Sequence, residues 1–328
     1  MSSYGKTWFK ITPKTLILFT IFLDVLGVGL IIPILPYYVE VFNLPDIVVS
    51  SLFATFSLFA FLSAPIKGMI SDRKGRRPVL ILSLFSTALG WFIFAFSRNI
   101  WGLFLGRMVD GMAAGNISTA QNYLIDISKD RNDKIKNLGL IGAVSGIGFI
   151  SGPVIGGVLF AIEKKLPFIV VGAFSLFSTI LAYYMLPETN HIKSKKEFSF
   201  NPFVPIIRGF RNKKLVSLYT AWFLLTVTLA INQSVLGLYI SQMFAWTVIA
   251  AGALVTLLGL IFVLNQTILM EKIWLKHFKE KSLVVWNMIP FALGYLVMAF
   301  PYRFALLIGI VVGAFCYSTL RVLINNHL

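Results

Sequence analysis

Three ionisable residues, Asp24, Arg107 and Asp110, stand inside long apolar stretches of this sequence. A charged side chain at the centre of a membrane helix costs about 2.5–3.5 kcal/mol on insertion scales, so such residues face a polar cavity or a partner and mark ion pathways or proton relays. Asp24 therefore has the chemistry of a proton carrier. The alternative is an acid that pairs with a backbone donor or with Arg107. Arg107 and Asp110 are three apart, hence on one helix face. Arginine keeps its proton, so Arg107 needs a carboxylate or carbonyl partner. It either neutralises Asp110 locally or tunes Asp24 or Asp110. These three are the candidate proton-coupling residues.

They must be positioned by helices that cross a bilayer. The chain is 57% hydrophobic and 13% charged, with mean hydropathy +0.83, whereas soluble domains carry about 25% charged residues. Ten apolar runs approach the roughly 20 residues that a span needs: about 15–38, 48–68, 78–97, 101–126, 137–161, 166–186, 214–242, 246–270, 282–300 and 302–324. The first run is too long for a signal peptide, contains Asp24 and lacks a small-x-small cleavage site. The chain reads as an all-α integral membrane protein.

The net charge of +16 sits in the connections between runs. With Lys67 counted in the connection after the second run, every Lys and Arg outside a run falls on one side except Arg98, Lys164, Lys165 and Arg303. That asymmetry predicts both termini of the 328-residue chain in the cytoplasm and argues against nucleic acid as a partner. Cys316 is the one cysteine, His191, His277 and His327 are scattered, and no nucleotide loop or nucleophile–base pair is visible. The sequence thus predicts neither a metal site nor an enzyme. Residues 187–213, basic and containing Pro202 and Pro205, read as a cytoplasmic linker, with room for a short helix on the membrane surface. It separates a six-helix bundle, residues 1–186, from four helices in residues 214–328.

Three further patterns carry information. Lys67–Leu80, read as a loop, holds Gly68, Asp72, Arg73, Gly75, Arg76 and Arg77. Topology asks for its bases but not its acid. Ile273–Leu283 is a degenerate copy about 200 residues on, with Leu275 and Phe278 at the places of Asp72 and Gly75. The first run holds Asp24, Gly27, Gly29, Pro33 and Pro36, and the fourth holds Gly106, Arg107, Asp110, Gly111 and Gly115. In the fifth, Gly142, Gly146, Gly148, Gly152, Pro153, Gly156 and Gly157 follow one another. Glycines four apart let a neighbouring backbone approach, and Pro153 permits a bend. This predicts a tight seam, static or bendable.

Together these segments resemble the signature elements of the major facilitator superfamily, and within it the drug:H⁺ antiporters that include bacterial tetracycline and multidrug efflux proteins. The resemblance implies the superfamily fold with ten of its usual twelve helices, six plus four. It implies proton-coupled efflux of a small amphipathic or drug-like molecule by rocking of two halves. The proton gradient is then the only coupling agent, with no cofactor. The protein would be a monomer when full length, in the bacterial inner membrane. Asp72, Arg73, Arg76 and Asp126 would form a gating charge cluster, and Gly68, Gly75, Gly148, Gly152, Pro153 and Gly156 would serve conformational change. Asp110 departs from the family, which has a neutral residue there. Gly90 and Phe291 replace membrane acids of the tetracycline exporters, which argues against tetracycline. With the last two helices absent, the 328-residue chain alone is expected to be unstable or inactive.

Asn116, Gln121 and Asn122 in the fourth run, Asn232 and Gln233 in the seventh and Asn265 and Gln266 in the eighth either line a cavity or join helices. Competing functions are an uptake carrier for a small metabolite on the same fold, and a truncated remnant that does not transport. A ten-helix drug/metabolite carrier fits the length but not the Lys67–Leu80 pattern.

Overall fold

The computed structural model describes residues 12–114, 116–189, 213–278 and 280–327. Among these no strand occurs. The helices are α1 (Pro13–Glu40), α2 (Ile47–Lys74), α3 (Arg76–Ala95), α4 (Ile100–Ala113), α5 (Asn116–Asp126), α6 (Arg131–Ile162), α7 (Leu166–Met185), α8 (Lys213–Phe244), α9 (Val248–Leu264), a π-helical stretch (Asn265–Trp274), the single turn α10 (Leu275–His277), α11 (Glu280–Met298) and α12 (Arg303–His327). Eight of the described helical stretches are long and apolar enough to cross a membrane. The ninth run is covered by the shorter apolar stretch Ser282–Met298. The fourth is broken: α4 ends at Ala113, Ala114 is extended (φ −55°, ψ 154°), and α5 begins at Asn116. Hydropathy alone shows no such break, because the apolar run continues through it.

A second departure concerns the basic stretch after the second run. It is not a loop. α2 continues to Lys74, so Lys67, Gly68, Asp72 and Arg73 are helical, and Gly75 alone separates α2 from α3. Gly75 has φ +115°, a conformation that glycine reaches without Cβ strain. Most of the linker, residues 190–212, lies outside the described residues.

The described chain forms two compact units, one from parts of Met1–Val25, Ala54–Ile147 and Phe168–Phe200, the other from parts of Leu26–Phe53, Gly148–Pro167 and Asn201–Leu328. In the first, Leu16, Ile17 and Ile21 of α1 pack with Leu84 of α3, Tyr123 of α5 and Ala182 of α7. In the second, Ile240 of α8, Leu254 of α9 and Ile310 of α12 share a core. Large apolar side chains such as Trp286, Leu296 and Phe304 are exposed, as expected where lipid is the solvent.

Candidate functional site

In the first unit, α4 is set against α3 by glycines. The Asn99 side chain caps α4 by accepting from Gly102 N at 3.0 Å. A Cβ on Gly90 would stand 2.8 Å from Asp110 N, and one on Gly106 2.9 Å from Phe94 Cβ, so both positions demand glycine. That close approach buries Arg107 and Asp110, which are 4% and 9% exposed. Arg107 Nη1 donates to Asp110 Oδ2 at 2.9 Å. The guanidinium also lies over the Phe56 ring, 4.4 Å from its centroid, a cation–π contact strengthened by desolvation. The pair predicted from spacing is thus a real ion pair, and Arg107 Nε is left without a partner.

Asp24 of α1 is half-buried. Its polar surroundings are the Asn116 amide, the Asp110 carboxyl and the Lys67 ammonium. Asn116 is 6% exposed and, although beside Asp24, neither of its amide atoms makes a hydrogen bond of normal geometry. Lys67 Nζ donates to Ala114 O at 3.1 Å. Lys67 therefore belongs with the membrane acids, a placement missed when it is read as a loop base. Gln121 is half-buried on α5 and Asn122 is exposed.

The four candidate gating charges gather at the α2–α3 corner. Arg76 Nη1 donates to Asp72 Oδ1 at 2.5 Å and to Ser71 Oγ at 3.0 Å, while its Nε donates to Asp126 Oδ2 at 3.3 Å. Arg73 lies on the same last turn of α2. Glu188, just after α7, completes the corner. Its carboxylate accepts from Arg76 N at 2.8 Å and Arg77 N at 3.2 Å, the capping that an acid gives a helix N-terminus. A Cβ on Gly75 would collide with that carboxylate. Thr189 Oγ1 shares Asp126 Oδ2 at 3.3 Å. Glu188 escaped the sequence reading; the signal was an acid directly after an apolar run, facing an otherwise basic connection.

The second unit holds the glycine seam. Cβ atoms on Gly152 and Gly156 would stand 2.7 Å from Leu26 O and Ile34 Cδ1 of α1. Pro153, buried between them, lies against Gly29 and Gly252. Gly148 is buried. Gly142, in the first unit, and Gly68 have open space beside them, so neither marks a close approach, and Gly68 forms no turn. Asn232 Nδ2 donates to Tyr295 OH at 3.3 Å, and Gln233 is half-buried. Asn265, fully buried at the start of the π-helical stretch, donates to Phe315 O, Ser318 Oγ and Thr319 Oγ1 and accepts from Trp274 Nε1 at 3.0 Å. It joins α9 to α12 as interhelical glue.

A multi-span helical carrier with charges buried inside one helical unit is the class that this arrangement defines. The major facilitator superfamily model matches residues 17–328. The class C tetracycline resistance protein of Escherichia coli is 31% identical over 293 residues, covering 88% of this chain and 73% of the relative. The quinolone resistance protein NorA of Staphylococcus aureus is 27% identical over 312 residues, covering 94% and 79%. Among solved structures, a bacterial homologue of the human lysosomal transporter Spinster superposes with TM-score 0.77 at 14% identity, covering 97% of this chain and 74% of that one. The chain belongs to the major facilitator superfamily and has its fold.

Proposed function

We propose that the protein exports a small amphipathic or drug-like molecule in exchange for protons. Asp24 carries the proton, and Arg107 and Asp110 set the charge around it. The protein works by alternating access as a monomer in a bacterial inner membrane, with both ends of the 328-residue chain cytoplasmic. The proton gradient is the sole coupling agent. The observation that carries this reading is the grouping of Asp24, Lys67, Arg107 and Asp110 inside one helical unit. Its likeness to tetracycline and quinolone resistance proteins supports export as the direction.

The test is a substrate-dependent pH change in everted membrane vesicles carrying this chain. A quinolone and tetracycline serve as probes beside a panel of amphipathic cations. Alkalinisation of the acidified lumen when a probe is added supports exchange. Further acidification of the lumen, or transport unaffected by collapsing the gradient, overturns it. Gly90 and Phe291 lead us to expect a response to other probes rather than to tetracycline.

A further inference from the structure

Lys67 stands among the charges of the function just proposed but was given no role of its own there, and it occupies a junction. The break in the fourth span leaves backbone groups of α4 and α5 without their helical partners. In lipid such groups must be satisfied by protein or by cavity water. α2 supplies two donors to the carbonyl end of α4: Ser63 Oγ to Gly111 O at 3.3 Å, and Lys67 Nζ to Ala114 O at 3.1 Å. A cation is favoured there by the helix dipole. The same ammonium lies within electrostatic reach of Asp24 on α1 and Asp110 on α4, and Asp110 is already held by Arg107. On the first residue of α5, the Asn116 amide stands beside Asp24 and favours its ionised form. Five residues beyond Lys67 along α2, Asp72 is joined through Arg76 of α3 to Asp126, the last residue of α5. α2 therefore holds the carbonyl end of α4 two positions before α5 begins, and through Arg76 of α3 it meets the last residue of α5.

We propose that Lys67 is a positioning residue that reads the charge of Asp24 and relays it through α5 to the Arg76–Asp126 bridge. With Asp24 ionised, the carboxylate competes with Ala114 O for the ammonium, and the break loosens. With Asp24 protonated, that competition ends. Lys67 then holds Ala114 O, and α5 is kept in the place where Asp126 meets Arg76. The inference rests on Asp24 as the proton carrier.

The experiment uses the full chain with Cys316→Ser, reconstituted in nanodiscs, and spin labels at the exposed positions Lys74 and Lys129. Pulsed electron spin resonance reads the separation of the α2 and α5 ends. In the parent, the ratio of close to separated populations should change by about five-fold or more between about pH 5.5 and about pH 8.5, the lower bound of a typical coupling between sites. Asp24→Asn should hold the close population at every pH, and Lys67→Arg should keep the response. Lys67→Met should abolish it. Because Lys67→Met removes the ammonium that acts electrostatically on Asp24, Asp24→Asn/Lys67→Met serves as the folded control and should also give no response. A purely structural lysine would lower stability without touching the pH dependence. A pH response of parental size in Lys67→Met overturns the relay. Proton-driven transport persisting in Asp24→Asn overturns instead the function it rests on.

Discussion

The two helical units bury polar groups in different ways. In the unit containing Asp24 the buried polar groups include formal charges: Arg107 and Asp110 are bonded to each other, with Lys67 and Asp24 beside them. Among the described residues of the unit containing Asn265 the buried polar groups are neutral, and Asn265, Ser318 and Thr319 satisfy one another. Neutral networks serve to join helices and change little with pH. Ionised groups are costlier to bury and respond to a proton. The proposed function accordingly draws its proton chemistry from the first unit and only packing from the second.

Breaking the charged pair should therefore have the largest effect. Arg107→Ala leaves Asp110 buried and unpaired, and should destabilise by about 3–5 kcal/mol. Arg107→Ala/Asp110→Ala should recover most of that loss in a thermal unfolding assay in detergent. Next comes the glycine seam. Gly252→Ala forces a Cβ into the carbonyl of Pro153 and should cost about 1–3 kcal/mol by overpacking. Gly142→Ala, with open space beside it, should be neutral or slightly stabilising, since Ala exceeds Gly by about 1 kcal/mol in helix propensity. Asn265→Ala removes the interhelical node and should cost about 1–2 kcal/mol, the range for model membrane peptides, with transport retaining its pH profile. Glu188→Gln keeps an acceptor for the Arg76 and Arg77 amides but loses its charge, and should cost a few tenths to about 1 kcal/mol. A seam glycine that proved neutral, or an Asn265 variant with an altered pH profile, would undo the assignment of roles to the two units.

How far the sequence revealed this depended on distance along the chain. Arg107 and Asp110 were legible because three-residue spacing on a helix settles their contact. Asp24 was legible because an acid in an apolar run needs a reason. The ten runs followed from hydropathy. Lys67 was misplaced because a boundary set by hydropathy stops where bases begin, whereas the backbone stays helical to Lys74. The break at Ala114 was invisible because no proline marks it. Glu188 meets Arg76 across 112 positions, and nothing local encodes that pairing. Gly68 shared a motif with Gly75, yet only Gly75 has a positive φ, so membership of a motif did not distinguish the glycine that the backbone requires.

The most direct test of the central claim compares the parent with Asp24→Asn in liposomes, using a probe that the parent exports. The variant should still exchange labelled for unlabelled probe when no gradient is present. It should fail to accumulate the probe against its concentration when an outward proton gradient, lumen acid, is imposed. Gradient-driven accumulation by Asp24→Asn equal to that of the parent would contradict the account, and the proton would have to be carried elsewhere.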